Sequence, residues 1–223
     1  MTAADTGVGK TFVGCALAAG LRKRGVRVLA CKLLETGCSE VTQPTEDGVL
    51  LAEASGQREP RRALERFACP VTPALAAEME HREIHLEDLL KRLDALAEGF
   101  EVVLLEGAGG LLAPITWQKT MLDVVQRLDA ECIVVAADRL GTLHHARAML
   151  WLLETQHRRP SAVVFNQGVR MEGDASFGHN AQVLERVSGY RSLVLQGALD
   201  PAVDELAERV LASVRPGSSA AEP

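Results

Sequence analysis

The feature that most constrains this chain is a glycine-rich segment near its first residue, Ala4-Asp5-Thr6-Gly7-Val8-Gly9-Lys10-Thr11. Its two glycines allow the backbone to turn so that successive N–H groups face one point, as phosphate oxygens require. Lys10 adds a cation for the β- and γ-phosphates, and the Thr11 hydroxyl is a group that Mg²⁺ accepts as a ligand. A helix beginning at Thr11 would add its positive dipole end. The segment predicts a phosphate-binding loop, with Ala4 where a first glycine is usual; the alternative is a glycine-rich turn before a helix.

The rest of the chain alternates short apolar runs with longer helical patterns. The runs that we predict to be strands are 26–31, 101–105, 132–136, 162–165 and 192–195. They are mostly apolar throughout, which is typical of parallel strands covered on both faces. Helical patterns are predicted over 86–97, from Thr142 past Leu153, and from Asp200 to about Val214. This alternation predicts an α/β fold with a doubly wound, mostly parallel sheet between two helical layers, as in phosphate-loop NTPases.

The length of 223 residues and the 47% hydrophobic content fit one globular unit. We therefore expect a single domain over residues 1–214 and a disordered tail over 215–223, which is small and polar. Only Met1, Thr2 and Ala3 precede the glycine-rich segment, so the buried strand that normally leads into such a loop is largely missing. From this we expect that the natural start lies upstream.

Charge, hydropathy and cysteine usage narrow the class of protein. With 30 acidic and 24 basic residues the net charge is -6, which argues against a broad basic face for nucleic acid. No apolar stretch reaches the roughly 20 residues of a membrane span, and no secretory signal is evident. The five cysteines are widely spaced, which favours buried or incidental thiols over disulfides or a zinc site. We expect a cytoplasmic protein with no nucleic-acid or membrane partner.

Charged residues stand at two further strand ends. Glu106 follows the run 101–105 and opens Glu106-Gly-Ala-Gly-Gly110, and a carboxylate beside such glycines suits a Mg²⁺ ligand next to a phosphate. Lys32 follows the run 26–31, where a fixed cation neutralises phosphoryl charge. The alternatives are a solvated glutamate in a tight turn and a solvated lysine. His144 and His145 are adjacent on a predicted helix and diverge by about 100°, so we interpret them as packing or hydrogen-bonding groups.

Five segments in a fixed order resemble the dethiobiotin synthetase family, ATP-dependent enzymes of biotin synthesis. They are Asp5 to Thr11 (the phosphate loop), Lys32 to Gly37 (Lys-Pro-Val-x-Ser/Thr-Gly), Pro70 to Pro73 (Pro-x-Ser-Pro), Glu106 to Gly110 (Glu-Gly-Ala-Gly-Gly) and Leu140 to Ala146 (beginning Leu-Gly-Thr-Ile-Asn-His). Phe165-Asn166-Gln167 also resembles the strand end with which the family reads adenine. The likeness covers most of the chain.

The resemblance implies one site for ATP, Mg²⁺ and a diamine. The residues implied for nucleotide binding are Gly7, Val8, Gly9, Lys10, Thr11, Phe12, Asp47, Glu106, Gly107, Ala108, Gly109, Asn166 and Gln167. Thr11, Asp47 and Glu106 would also hold Mg²⁺. Thr6, Lys32 and Thr36 would face 7,8-diaminononanoate, and Lys10 and Lys32 would be the catalytic residues. Family members are homodimers that bind this substrate near the subunit interface.

The implied reaction joins CO₂ to the diamine through a carbamate, which ATP activates as a carbamic-phosphoric anhydride before the ring closes. In phosphoryl transfer a protein mainly aligns the reacting groups and neutralises their negative charge. The two lysines and Mg²⁺ would provide this. Within Lys32 to Gly37 the residue Glu35 adds a carboxylate, and if it points inward it would lower the local positive potential.

Three other classes of protein remain as alternatives. An ATP-driven switch or partitioning protein carries a signature lysine two residues before Gly7, where this chain has Asp5. An amidotransferring cobyrinate-type synthetase has an additional glutaminase domain, for which this chain is too short. A degenerate ATP-binding module is suggested only by the largely missing first strand.

Overall fold

Strands and helices alternate along the chain in a computed structural model, which describes residues 1–168 and 172–214. In chain order the elements are β1 (Thr2–Ala3), α1 (Lys10–Lys23), β2 (Val28–Lys32), β3 (Leu34–Thr36), α2 (Asp47–Ser55), β4 (Glu65–Phe67), α3 (Pro73–Met79), α4 (Leu86–Ala97), β5 (Val102–Glu106), α5 (Met121–Arg127), β6 (Ile133–Ala137), α6 (Thr142–Thr155), β7 (Ala162–Asn166), α7 (Asn180–Ser188), β8 (Leu193–Leu195) and α8 (Pro201–Ser213). The five predicted strands and three predicted helices are present within two residues of their expected bounds. The predicted tail, 215–223, lies outside the described residues.

Every strand pair in the described part of the chain is parallel. The strand β1 pairs with β6, β6 with β7, and β7 with β8, while β2 pairs with β5 and β3 with β4. The four-stranded group β1-β6-β7-β8 and the pair β2-β5 meet at Met1, whose amino group donates to the Leu105 carbonyl over 2.6 Å. The Met1 carbonyl in turn accepts from the Gly107 N–H over 3.0 Å. This topology confirms the predicted doubly wound parallel sheet.

Helices cover both faces of the sheet. On one face, Leu17 of α1 and Leu206 of α8 pack in a cluster with Val135 of β6. The residue before Val135 in the strand, Val134, belongs to a different cluster with Leu153 of α6. Because successive strand residues point to opposite faces, an apolar strand of this kind needs helices on both sides. That requirement explains why β2, β6 and β7 are buried at every position.

The first strand is short, as expected, since β1 contains two residues. Below Met1 a cleft of about 1010 Å³ lies between β5 and β6 and is lined by Val103 and Ile133, among others. Val103 is 40% exposed although it lies in a strand of the central layer. An upstream natural start stays a prediction. No helix among residues 1–168 and 172–214 is long and apolar enough to cross a membrane.

Candidate active site

The loop between β1 and α1 has the backbone conformation that its glycines predicted. Gly7 and Gly9 have φ angles of 67° and 87°, in the left-handed region that glycine adopts without strain. A Cβ at Gly9 would also lie 2.1 Å from Nδ2 of Asn166, so a side chain has no room there. The helix α1 begins at Lys10, and within the described residues no side chain caps it. Its first N–H groups therefore have no side-chain acceptor, which suits an anion at this helix end.

Lys32 lies at the centre of a group of polar side chains, in which Lys32 and Glu106 are buried and Asp47 and Thr11 are half-buried. Its Nζ donates to Oε1 of Glu106 over 2.6 Å and to Oδ2 of Asp47 over 2.7 Å. Oγ1 of Thr11 donates to the same Oε1 of Glu106 over 3.1 Å. Lys32 and Glu106 are paired in register at the ends of β2 and β5, whereas Asp47 opens α2 and Thr11 lies in the first turn of α1. The fold thus brings together four residues that the sequence analysis selected.

Burial and neighbouring charges shift the pKa values in this group. Burial alone lowers the pKa of Lys32, but Glu106 and Asp47 outweigh it and raise that pKa to about 12. Burial opposes ionisation of Asp47, yet the Lys32 ammonium brings the pKa of this carboxyl below its ordinary value. The pKa of Lys10 is lowered, first by burial and then by repulsion from Lys32. The site therefore stabilises Lys32 as a cation, whereas Lys10 needs an anionic ligand beside it to be equally stabilised.

The three predicted metal ligands suit a hard divalent cation. The hydroxyl of Thr11 and the carboxylates of Asp47 and Glu106 are oxygen donors, which Mg²⁺ prefers. Oε2 of Glu106 is buried and has no hydrogen-bond partner among residues 1–168 and 172–214, so the carboxylate has unused capacity as an acceptor. The positive charge of Lys32 already lies between two of these donors. The residues present therefore fit a Mg²⁺ ion.

Asn166 lies directly beneath the phosphate loop. Its Nδ2 donates to the Val8 carbonyl over 2.9 Å, and its Oδ1 accepts from the Gly168 N–H over 3.0 Å. The side chain is 2% exposed and therefore supports the loop from within the protein. Gln167 follows it, and its Nε2 donates to Oδ2 of Asp138 over 2.7 Å. Both residues are at the end of β7, and adenine binding by them stays a prediction.

Asp5 connects the phosphate loop to the segment that leads into α6. Its Oδ1 accepts from the N–H of Thr6 over 2.7 Å, and its Oδ2 accepts from Nη2 of Arg139 over 2.9 Å. Nδ1 of His145 lies 3.8 Å from the same Oδ2. The rings of His144 and His145 lie edge to face, with centroids 5.5 Å apart and planes inclined by 62°. Thr6 is exposed at the mouth of the loop, where a substrate has access to it.

The other predicted residues stand at loop positions and element ends around this group. Gly107 and Ala108 follow β5, and Gly109 has a φ of 74°, again in the left-handed region. Phe12, in the first turn of α1, is 38% exposed, and Thr36 ends β3 half-buried. Their predicted contacts with nucleotide and substrate stay predictions.

One buried polar residue beside the site, Asp138, was not selected from the sequence. It is 1% exposed and accepts from Nδ2 of Asn180 over 2.7 Å and from the Gly178 N–H over 2.9 Å, in addition to Gln167. It follows β6 directly, so the strand-end argument that selected Glu106 would have found it.

Glu35, the extra carboxylate of the segment Lys32 to Gly37, is buried, and neither of its oxygens is hydrogen-bonded to Lys32. It accepts from the main-chain N–H groups of Asp47 and Gly48 over 2.6 and 3.1 Å. Burial raises the pKa of the Glu35 carboxyl, whereas these two N–H groups and the Lys32 ammonium act in the opposite direction.

Glu35 also belongs to a buried group of ligand-type side chains with Cys38 and Glu46, whose ligand atoms lie within 4.8 Å of one another. Arg66 neutralises Glu46 through two hydrogen bonds of 2.6 and 2.9 Å. Burial raises the pKa of the Cys38 thiol, which disfavours the thiolate that a metal would need. The group is satisfied internally, and we assign no metal to it.

The chain is similar to known proteins over most of its length. A sequence-family model described as an AAA domain matches residues 1–208. The ATP-dependent dethiobiotin synthetase of Anaeromyxobacter sp. (strain Fw109-5) is 36% identical over 195 residues, which cover 86% of each chain. The ATP-dependent dethiobiotin synthetase of Aquifex aeolicus (strain VF5) is 33% identical over 191 residues, which cover 86% of this chain and 84% of the relative.

Solved structures support the fold. The MinD cell division protein of Aquifex aeolicus superposes with a TM-score of 0.55 and covers 96% of this chain and 97% of its own. At 13% sequence identity this likeness shows a shared fold alone.

Proposed function

The chain belongs to the dethiobiotin synthetase family, and we propose that the site around Lys32 performs that family's ATP-dependent ring closure. One amine of 7,8-diaminononanoate takes up CO₂ to give a carbamate. A carbamate oxygen attacks the γ-phosphorus of ATP, and ADP leaves. The second amine then attacks the carbonyl carbon of the carbamic-phosphoric anhydride, phosphate leaves, and the cyclic urea of dethiobiotin is formed.

One observation carries this proposal. The Lys32 ammonium lies between the carboxylates of Asp47 and Glu106, at 2.7 and 2.6 Å, beside the first turn of the helix that follows the phosphate loop. Such an arrangement concentrates fixed charge where the transferred phosphoryl group would lie. It requires no covalent nucleophile, in agreement with a direct attack by the carbamate.

Each part of the site has a proposed task. The backbone from Gly7 to Thr11 holds the phosphates of ATP, and Lys10 neutralises their charge. Lys32 neutralises the negative charge of the carbamate and of the transferred phosphoryl group. Thr6 and Thr36 position the diamine, and the strand end at Asn166 and Gln167 contacts the adenine.

Thr11, Asp47 and Glu106 are the residues that would hold Mg²⁺. When bound, this ion supplies positive charge to the phosphate oxygens during the transfer. Glu106 is held by Lys32 and Thr11 together, so its orientation is set before a metal arrives. We propose that the chain is a homodimer and works in the cytoplasm, where ATP is available and thiols such as its free cysteines stay reduced.

The test is an assay of ADP release with Mg-ATP and bicarbonate, in the presence and absence of 7,8-diaminononanoate, with dethiobiotin measured by mass spectrometry. We expect ADP release to require both bicarbonate and diamine and to match dethiobiotin mole for mole. ADP release that ignores the diamine would instead favour an ATP-driven switch. No ADP release under any condition would favour a degenerate ATP-binding module.

A further inference from the structure

Glu35 is a buried carboxylate that the proposed reaction does not use directly. It lies in β3, three residues after Lys32, and is 8% exposed. A buried carboxylate is costly unless hydrogen bonds or opposite charge compensate it. Glu35 makes no ion pair among the described residues, so its compensation has to come from elsewhere.

The compensation comes from the first turn of α2. Oε1 of Glu35 accepts from the Asp47 N–H over 2.6 Å, and Oε2 accepts from the Gly48 N–H over 3.1 Å. Both N–H groups would otherwise lack a helical partner, and a negative charge at this helix end is favoured by the dipole. The helix has Glu46 at its N-cap position, but the Glu46 side chain makes no capping bond and binds Arg66 instead. Glu35, twelve residues before Asp47, therefore caps α2.

The backbone at Ala63 packs against the same first turn of α2. A Cβ at Gly48 would lie 2.2 Å from the Ala63 nitrogen, so only glycine permits this close approach. The backbone of Asp47 is thus fixed between the Glu35 carboxylate and the packed Gly48. The side chain of Asp47 leaves this fixed backbone and reaches Nζ of Lys32.

We propose that Glu35 is a positioning residue that holds the start of α2 so that the Asp47 carboxylate stays aligned with Lys32 and Thr11 for metal binding. The inference rests on the proposed function, because it takes Asp47 to be a Mg²⁺ ligand. Glu35 touches neither substrate nor metal. It acts on Asp47 through two main-chain hydrogen bonds.

The test is Glu35→Gln, which keeps the size of the side chain but removes its charge and one of the two acceptors. Mn²⁺ binding in the presence of a non-hydrolysable ATP analogue is measured by electron paramagnetic resonance, so that no turnover is needed. We expect the dissociation constant of Mn²⁺ to rise about 10-fold, as is common when a group that orients a ligand is lost. We also expect the concentration of Mg²⁺ at half-maximal turnover to rise in parallel while the KM for the diamine is unchanged.

The matched control is Glu46→Gln, because Glu46 is a buried carboxylate of the same helix end that does not accept from the Asp47 N–H. It should lower the free energy of unfolding to a similar extent, yet change the Mn²⁺ dissociation constant less than about 2-fold. Equal effects of the two variants on Mn²⁺ binding would reduce Glu35 to a structural role and overturn the proposal. If Glu35→Gln does not fold, Glu35→Asp replaces it, because aspartate keeps the charge but is too short to reach both N–H groups. We expect the same rise in the Mn²⁺ dissociation constant for Glu35→Asp.

Asp47→Asn separates this inference from the proposed function. If Asp47→Asn weakens Mn²⁺ binding and Glu35→Gln leaves it unchanged, the positioning role is overturned and the proposed function stands. If Asp47→Asn has no effect on Mn²⁺ binding, the positioning role falls with the metal assignment. If wild-type protein binds Mn²⁺ as described but forms no dethiobiotin, only the proposed function fails.

Discussion

Nζ of Lys32 and Oε1 of Glu106 lie 2.6 Å apart at the matched ends of two parallel strands, and their side chains are 7% and 1% exposed. Removing one member of such a pair leaves an uncompensated charge in a poorly solvated place, which costs more than an exposed pair ever contributes. The same arrangement places a cation beside the phosphate loop. We therefore expect substitutions at this contact to change both the stability and the proposed activity.

Substitution Lys32→Met tests the contribution of this contact to stability. We expect the free energy of unfolding to fall by about 3–5 kcal/mol at pH 7, because two carboxylates lose their shared partner. The pKa of Lys32 is raised from 10.5 to about 12, so its contribution is complete below pH 10.5 and is lost as the pH rises through 12. Urea unfolding of wild type and variant at pH 8, 10 and 11.5 should show this difference shrinking at the last pH.

The control for this series is Lys23→Met, at the exposed end of α1. It should change the free energy of unfolding by less than about 0.5 kcal/mol at each pH. A Lys32→Met difference that stays constant from pH 8 to 11.5 would contradict the assignment of the stability to the charged pair.

Glu106→Gln tests the metal site. The amide keeps the shape of the side chain but removes its charge, so we expect turnover to fall by about 100-fold or more at saturating ATP. The Mg²⁺ concentration that gives half-maximal turnover should also rise. Glu101→Gln, at the exposed start of the same chain segment, should leave both quantities unchanged. An unaltered Mg²⁺ requirement in Glu106→Gln would remove this residue from the metal site.

Lys10→Met should separate stability from activity. The pKa of Lys10 is lowered by burial and by Lys32, so its charged form is disfavoured in the folded protein. Below the folded pKa this charge destabilises the fold, so its removal should raise the free energy of unfolding. ATP-dependent turnover should be abolished because the phosphates lose their neutralising cation. Thermal unfolding measures the change in stability, and the ADP assay measures the loss of activity. If the Lys10→Met variant still releases ADP, the assignment of this segment as the phosphate-binding loop is wrong.

The strand ends of this protein were predictable because their signal is local. An apolar run followed by one charged residue marks Glu106 and Lys32, and parallel pairing then brings the two ends together. The short strands β3 and β4 were not predicted, because three residues such as Glu65-Arg66-Phe67 carry no periodicity. They are strands because they pair with each other, Leu34 with Glu65, and not because of their own sequence.

The role of Glu35 could not be predicted from local sequence, for a different reason. Its partner N–H groups are at Asp47 and Gly48, so the contact depends on the path of the intervening loop. The usual signal for a helix cap is a Ser, Thr, Asp or Asn immediately before the helix, whereas this cap comes from a neighbouring strand. The position of Asp47 itself came from family resemblance, because the loop before it shows no pattern that selects it.

The two glycines of the phosphate loop should respond differently to alanine, although both have positive φ angles. Gly7→Ala meets nothing within 4 Å and should cost only the strain of the left-handed conformation, about 1–2 kcal/mol. Gly9→Ala adds a Cβ that overlaps Nδ2 of Asn166 at 2.1 Å, so it should displace the side chain that supports the loop at Val8. We expect Gly9→Ala to lose more stability than Gly7→Ala and to lose ATP binding as well.

The double variant Gly9→Ala with Asn166→Ala distinguishes overlap from strain. Removing the Asn166 side chain relieves the overlap but leaves the positive φ at position 9, so the two substitutions should be non-additive. Urea unfolding of the four proteins of the cycle gives the coupling free energy, which we expect to be about 1 kcal/mol or more in favour of the double variant. A coupling free energy near zero would show that overlap with the Asn166 side chain does not contribute to the cost of Gly9→Ala.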